Sequence, residues 1–269
     1  MGKIIMIASQ KGGVGKTTVA FNLSYSLGKM GNSILLIDGD PQGGIAIASN
    51  LKERTKLGIL DIINGKCNPE EAVQKTKDDS MSILGIGELS STDISLLEDK
   101  ARSGELGSII KELSTLYQYV VIDTPAGVGV IVSSLMRVTD EIITVINSRS
   151  FSLKSLPIFL RMIKEIKENH NKDLDLNGVI INMFRSDSEF EKNILEQIKK
   201  IFPKEIFYNT IIPFSNHFEK ASIYSVPISM ISRGNVASRP FIELAIELKE
   251  REINNITGDN NEDPSMGLF

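Results

Sequence analysis

The 269-residue sequence predicts an α/β protein in three layers, with an open, mostly parallel, doubly wound sheet covered by helices on both faces. Three observations carry this. Short runs rich in isoleucine and valine recur along the chain, apolar throughout, as suits strands buried on both faces. Segments with a helical spacing of apolar residues separate them. The first run meets the first such segment at a glycine-rich turn, Gln10 to Gly15.

In order, Lys3 to Ser9 predicts a buried strand, and Thr17 to Met30 a helix with Val19, Leu23 and Leu27 on one face. Gly31 and Asn32 close that helix. Ser33 to Ile37 predicts the next strand, running into Asp38-Gly39-Asp40-Pro41 and completing a right-handed βαβ unit. A short helix follows over Leu57 to Asn64, then a strand over Met81 to Ile86 and an amphipathic helix over Leu106 to Leu116. Strands are then expected at Tyr119 to Ile122, Glu141 to Ile146, Val179 to Asn182 and Thr210 to Pro213. Helices are expected at Leu156 to Ile166, Phe190 to Ile201 and Phe241 to Ile253. No internal repeat or linker interrupts residues 1–253, which are expected to form one domain.

The net charge of −4, with 41% apolar and 24% charged residues, is that of an ordinary globular chain. No apolar run reaches the ~20 residues that span a bilayer. The start passes directly into an apolar strand without a signal-peptide pattern, so a cytoplasmic location is expected. The single cysteine, Cys67, rules out an internal disulfide and a thiolate cluster, and is expected to be inert. His170 and His217 have no second ligand at a metal-site spacing. Residues 254–269 are polar and acidic and are expected to fray. Their last four, Met-Gly-Leu-Phe, admit a second reading as a docking peptide.

The chemistry concentrates in Lys11-Gly12-Gly13-Val14-Gly15-Lys16-Thr17-Thr18. Glycines between a strand and a helix let backbone N–H groups turn inward around phosphate oxygens, and the helix N-terminus adds its positive end. In this phosphate-loop pattern Lys16 neutralises the β- and γ-phosphates, Thr17 ligates Mg²⁺ and Thr18 reaches the α-phosphate. This predicts a P-loop NTPase fold that takes a nucleoside triphosphate with Mg²⁺.

The same eight residues resemble the deviant Walker A motif of the ParA/MinD family. The resemblance implies that the nucleotide is ATP and that Lys11 reaches across an ATP-sandwiched homodimer to the partner's nucleotide, a cation supplied in trans. Leu35 to Gly43 resembles the family's motif with paired aspartates, which implies that Asp40 orients the attacking water and Asp38 helps organise the magnesium side. Tyr119 to Gly127 resembles a Walker B strand and switch loop, so Asp123 is expected to hold Mg²⁺ through water. Val179 to Asn182 and Ile211 to Pro213 resemble the adenine-side elements, with Asn182 on the base and the backbone near Pro213 framing it. The likeness runs from about Lys3 to Leu248.

Within that family, branches that need paired cysteines or tandem P-loops do not fit. The acidic C-terminal segment lacks the basic amphipathic helix of a membrane anchor. Relatives that bind DNA carry arginines after the Ile-Pro motif, where this chain has Phe214 and His217. Lys199, Lys200 and Lys204, expected on one helix, and Arg233 and Arg239 are the other basic candidates. Two readings stay open. One is a partition ATPase that binds DNA nonspecifically as an ATP-bound dimer, associates with the nucleoid and hydrolyses ATP slowly until a ParB-like partner stimulates it. The other is an ATP-gated scaffold of the MinD/FlhG kind that positions protein cargo without DNA.

Overall fold

The computed structural model describes residues 2–149, 152–231 and 236–258. In chain order they form β1 (Lys3–Ala8), α1 (Lys16–Lys29), β2 (Ile34–Asp38), α2 (Gly44–Ala48), α3 (Ile59–Ile63), α4 (Pro69–Ala72), β3 (Gln74–Lys75), β4 (Ser82–Leu84), α5 (Ser91–Ser103), α6 (Glu105–Ser114), β5 (Tyr119–Asp123), α7 (Val130–Met136), β6 (Glu141–Asn147), α8 (Ser152–Asn169), β7 (Asp175–Phe184), α9 (Glu189–Ile201), β8 (Phe207–Pro213), α10 (His217–Tyr224), α11 (Ile228–Ile231) and α12 (Arg239–Gly258).

The strands join one sheet in the order β3-β4-β2-β5-β1-β6-β7-β8. Every pairing is parallel except β3 with β4. β1 lies between β5 and β6, and the chain leaves it in opposite directions to build the two halves. The loop after β1 therefore sits at the topological switch point, the crevice where open α/β sheets bind ligands. Register sets what meets there: Asp38 pairs with Asp123, and Ile7 with Asp123 on the other side.

Two apolar cores, one per face, make the three layers. On one face Val19, Leu23 and Leu27 of α1 pack with Phe241, Leu244 and Leu248 of α12. On the other, Ile110 and Leu113 of α6 pack with Phe159 and Ile163 of α8. The expected strands are all present, with β7 and β8 longer than their apolar runs. Several elements were not predicted, the largest being α5. Its Ser90 cap accepts the Asp93 N–H at 3.3 Å, and Asp93 returns a bond from the Ser90 N–H at 2.9 Å. The last helix runs to Gly258, past the expected end at Ile253, while residues 259–269 and the docking-peptide reading lie outside the described residues. No helix among the described residues is long and apolar enough to cross a membrane.

At the end of the sheet away from the loop, a polar network fastens α12. Lys3 Nζ lies 2.7 Å from Glu141 and 3.3 Å from Glu252. The Tyr119 hydroxyl donates to Glu252 at 2.7 Å, and Asn177 donates to Glu141 at 2.8 Å. Burial pushes the Glu141 carboxyl up, and Lys3 holds it down. Lys3→Met leaves two largely buried carboxylates without their cation, and should lower stability in urea at neutral pH by about 2 kcal/mol. Lys3→Met/Glu141→Gln should recover most of that loss; a double variant as unstable as the single would contradict the charge-pairing account.

Candidate active site

The loop between β1 and α1 is built around two glycines. Gly13 has φ +73° and Gly15 +88°, the latter capping α1, where the Val19 N–H meets the Gly15 carbonyl at 2.9 Å. Both lie where side chains are strained. A Cβ on Gly15 would also collide with the Asn182 amide. Asn182 is buried and donates to the Val14 carbonyl at 2.7 Å. The loop thus rests on the end of β7, while Lys11, Gly12 and Gly13 face outward, exposed.

Three charged groups are buried beneath it. Lys16 is 7% exposed, and burial lowers its pKa against the pull of Asp123 and Asp40. Asp38 and Asp123 are both fully buried at adjacent strand ends. Asp38 accepts the N–H groups of Ile45 at 2.9 Å and Ala46 at 3.3 Å, capping α2, and that of Asp40 at 3.3 Å. Burial raises its pKa to about 6. Neither oxygen of Asp123 has a hydrogen-bond partner of good geometry. Burial drives its pKa to about 7, with the nearby Thr17 hydroxyl pulling down and Asp38 pushing up.

An orphaned buried carboxylate beside a threonine hydroxyl and a second carboxylate is a set of hard oxygen donors, which fits Mg²⁺. Among the described residues no group of three or more His, Cys, Asp or Glu side chains closes on a metal.

Asp40 is half-buried in a tight turn, accepting the Gln42 N–H at 2.9 Å on its side chain and the Gly43 N–H at 2.8 Å on its carbonyl. It borders a cleft of about 430 Å³ shared with Pro125 and Ala126 of the loop after β5. That loop is tied to β1 by Gly127 N–H to the Ser9 carbonyl at 2.9 Å and by the Thr124 hydroxyl to the Ile7 carbonyl at 2.9 Å.

The fold thus gathers Lys16, Thr17, Asp38, Asp40 and Asp123, with Lys11 on the outer side of the same loop. Thr18 lies in the first turn of α1, its carbonyl accepting from Asn22 at 2.8 Å. Pro213 ends β8, opposite Phe184 of β7. Asn182, expected on a base, already uses its amide nitrogen to hold the loop. The sequence also left unread how α2 serves the site. A Cβ on Gly44 would come 3.1 Å from the Thr17 hydroxyl, so the α2 entry sits directly on that side chain. Arg185 went unnoticed too: its guanidinium lies 4.0 Å from the centre of the Phe214 ring. Sequence alone held a signal only for the first, in the Gly43-Gly44 pair. Of the basic candidates, Lys199 and Lys200 are exposed at the end of α9. Lys204 is not on that helix, which stops at Ile201; it begins a 3₁₀ turn. Arg239 pairs with Glu243 at 2.6 Å, and Arg233 lies outside the described residues. Burial, with Asp61 and Glu71, raises the Cys67 thiol pKa.

Residues 2–176 match a family model described as an AAA domain. The chain is 28% identical to the chromosome-partitioning ATPase Soj of Treponema pallidum over 253 residues, 94% of this chain and 99% of that protein. It is 34% identical to an uncharacterized protein of Methanocaldococcus jannaschii over 250 residues, 90% of this chain and 96% of the other. Among solved structures, the cell division ATPase MinD of Pyrococcus furiosus superposes with a TM-score of 0.76 at 25% identity, covering 93% of this chain and 99% of that one.

The buried carboxylates carry a consequence for stability. A carboxylate whose pKa is raised by folding binds its proton more tightly in the folded state, so stability falls as pH rises from the ordinary 3.8 through about 7 for Asp123. In protein free of nucleotide and metal, Asp123→Asn should melt above the wild type near pH 8, with the gap closing toward pH 4. A variant less stable than wild type near pH 8 would contradict this.

Proposed function

The chain belongs to the ParA/MinD family of P-loop ATPases, and we propose that it works as a positioning switch that dimerises around ATP and partitions plasmid or chromosomal DNA by binding DNA nonspecifically. The observation that carries this reading is the division of labour between two lysines of one loop. Lys16 is buried against Asp123 and Asp40, whereas Lys11 is exposed on the outer side. In this reading the cation inside the site serves the phosphates of its own nucleotide, and the one outside is assigned to a second subunit.

In this reading the loop from Gly12 to Thr18 cradles the phosphates, with Val14 braced by Asn182. Lys16 takes the β- and γ-phosphates, Thr17 and Asp123 hold Mg²⁺, directly and through water, and Asp38 organises that side. The ion supplies charge neutralisation for the phosphate chain. Asp40 orients a water whose oxygen bonds to the γ-phosphorus as the bond to the β,γ-bridging oxygen breaks, giving ADP and phosphate. Turnover in this reading is slow until a ParB-like partner stimulates it. Asn182 and the backbone near Pro213 lie at the base end.

DNA contact is supported by Lys199, Lys200 and Lys204, and by Arg185. Its guanidinium over Phe214 returns a cation to the surface where Phe214 and His217 stand in place of arginine. The protein would act in the cytoplasm, over the nucleoid. A scaffold that positions protein cargo without DNA is favoured by those same two replacements and by the net charge of −4.

The Asp40→Ala variant with Mg·ATP tests the reading. It should hydrolyse very slowly, form a dimer by light scattering and be held on nonspecific DNA in a salt-sensitive way. Adding Lys11→Ala should abolish both dimer and retention, because truncating one partner of a buried charge contact costs on the order of 2–5 kcal/mol. A dimer that survives loss of Lys11 would contradict its role across the interface. A dimer that ignores DNA at low salt would leave the scaffold reading.

A further inference from the structure

A second cavity, of about 300 Å³, lies away from the phosphate loop. Its walls come from the outer face of α1, the segment after α2, the β3–β4 hairpin and the turn between α10 and α11. Phe21, Tyr25, Leu51, Met81, Val226 and Met230 make it apolar. Its rim is cationic. Arg54, Lys75 and Lys77 line it, and among the described residues neither Lys75 nor Lys77 has an ion-pair partner. The Arg54 guanidinium spans the rim to the Lys75 carbonyl at 2.7 Å. Two lining residues are acidic. Asp78 is paired with Lys29 at 3.5 Å and accepts the Tyr25 hydroxyl at 2.9 Å, which leaves Glu53 against three cations.

The cavity is joined to the candidate active site through α2. At the start of α2, the Ile45 and Ala46 N–H groups hold Asp38, and Gly44 rests on Thr17. Beyond its end, Ser49, Asn50 and Leu51 form cavity wall. From the opposite wall, the Ser225 hydroxyl donates to the Ile47 carbonyl at 3.0 Å. Ser225 (φ 51°), the cap that ends α10, and Asn50 (φ 56°), just past the end of α2, both line this cavity, each in the left-handed turn that closes a helix.

We propose that this cavity binds a small amphipathic carboxylate, an apolar body with one anionic end, and that its occupancy is coupled through α2 to Mg·ATP binding. The size is at the lower end of small-molecule sites, which suits a free medium-chain carboxylate. The apolar body fills the space between Phe21, Met81 and Met230, and the carboxylate meets Lys75, Lys77 and Arg54. The coupling half rests on the reading of Asp38, Thr17 and Asp123 as the metal side of an ATP site. The binding half does not.

The test uses the full chain, with decanoate as the probe, displacing the fluorescent apolar anion 8-anilinonaphthalene-1-sulfonate. Wild type should show saturable, one-site displacement. Lys75→Glu/Lys77→Glu, both at exposed positions, should weaken it by about tenfold or more with Mg·ATP affinity intact. Met230→Trp, which fills the cavity, should abolish it. Saturating decanoate should change the Mg·ATP affinity of wild type by about fivefold, and Mg·ATP should change decanoate affinity by the same factor in the same direction. No saturable displacement, or displacement indifferent to both variants, overturns the site. Displacement that responds to the variants but leaves Mg·ATP affinity unchanged overturns the coupling. A wild type that binds decanoate but no Mg·ATP at all overturns the ATPase reading instead.

Discussion

Everything at the switch point follows from placing two carboxylates and an ammonium out of water together. Asp38 and Asp123 are register partners at the ends of β2 and β5, so the sheet itself brings them side by side. Both are fully buried, which taken alone opposes ionisation of either. Lys16 offsets part of the charge. What the protein compensates least is Asp123, whose two oxygens have no hydrogen-bond partner of good geometry. Such a group is costly in a fold unless something else supplies the counter-charge. In the proposed reading, a divalent cation held by Asp123 and Thr17 would supply it, which ties the carboxylate to the glycine loop.

The two carboxylates are handled differently, and α2 is the reason. Asp38 is satisfied by N–H groups at the α2 entry, which makes that short helix an extension of the site. The Asp40 turn lies between Asp38 and α2, held by the Gln42 and Gly43 N–H groups. A shift of α2 therefore has to move Asp38, Asp40 and the Gly44 contact on Thr17 together. At the sheet's other end, Lys3, Glu141 and Glu252 fasten α12 against the strands, away from α2.

Much of this was legible in the sequence. β1, β2, β5 and β6 are buried on both faces, so they read as unbroken apolar runs, and the loop residues share one continuous stretch. The helix α5 was illegible because it buries little: only Leu97 and Ala101 are inside, leaving no apolar stripe to read. α2 and α11, with five and four residues, are too short to show a period. The Arg185–Phe214 contact joins the ends of β7 and β8, and Asn182 reaches Val14 across 168 positions; only the folded sheet makes those neighbours. The ends of β7 and β8 also extend past their apolar runs, where pairing rather than composition defines the strand.

The central claim is that Asp123 is held for a divalent cation that joins it to nucleotide phosphates. It is tested most directly by the affinity for a fluorescent ATP analogue, measured with Mg²⁺ and again in EDTA, in wild type and in Asp123→Asn. Without the ion, the ionised Asp123 and the phosphates repel in a site shielded from water, where charges interact strongly. Wild type should therefore depend steeply on Mg²⁺. Asp123→Asn should bind the analogue in EDTA more tightly than wild type does, and should gain far less from the ion. An equal gain from Mg²⁺ in both proteins would contradict the account.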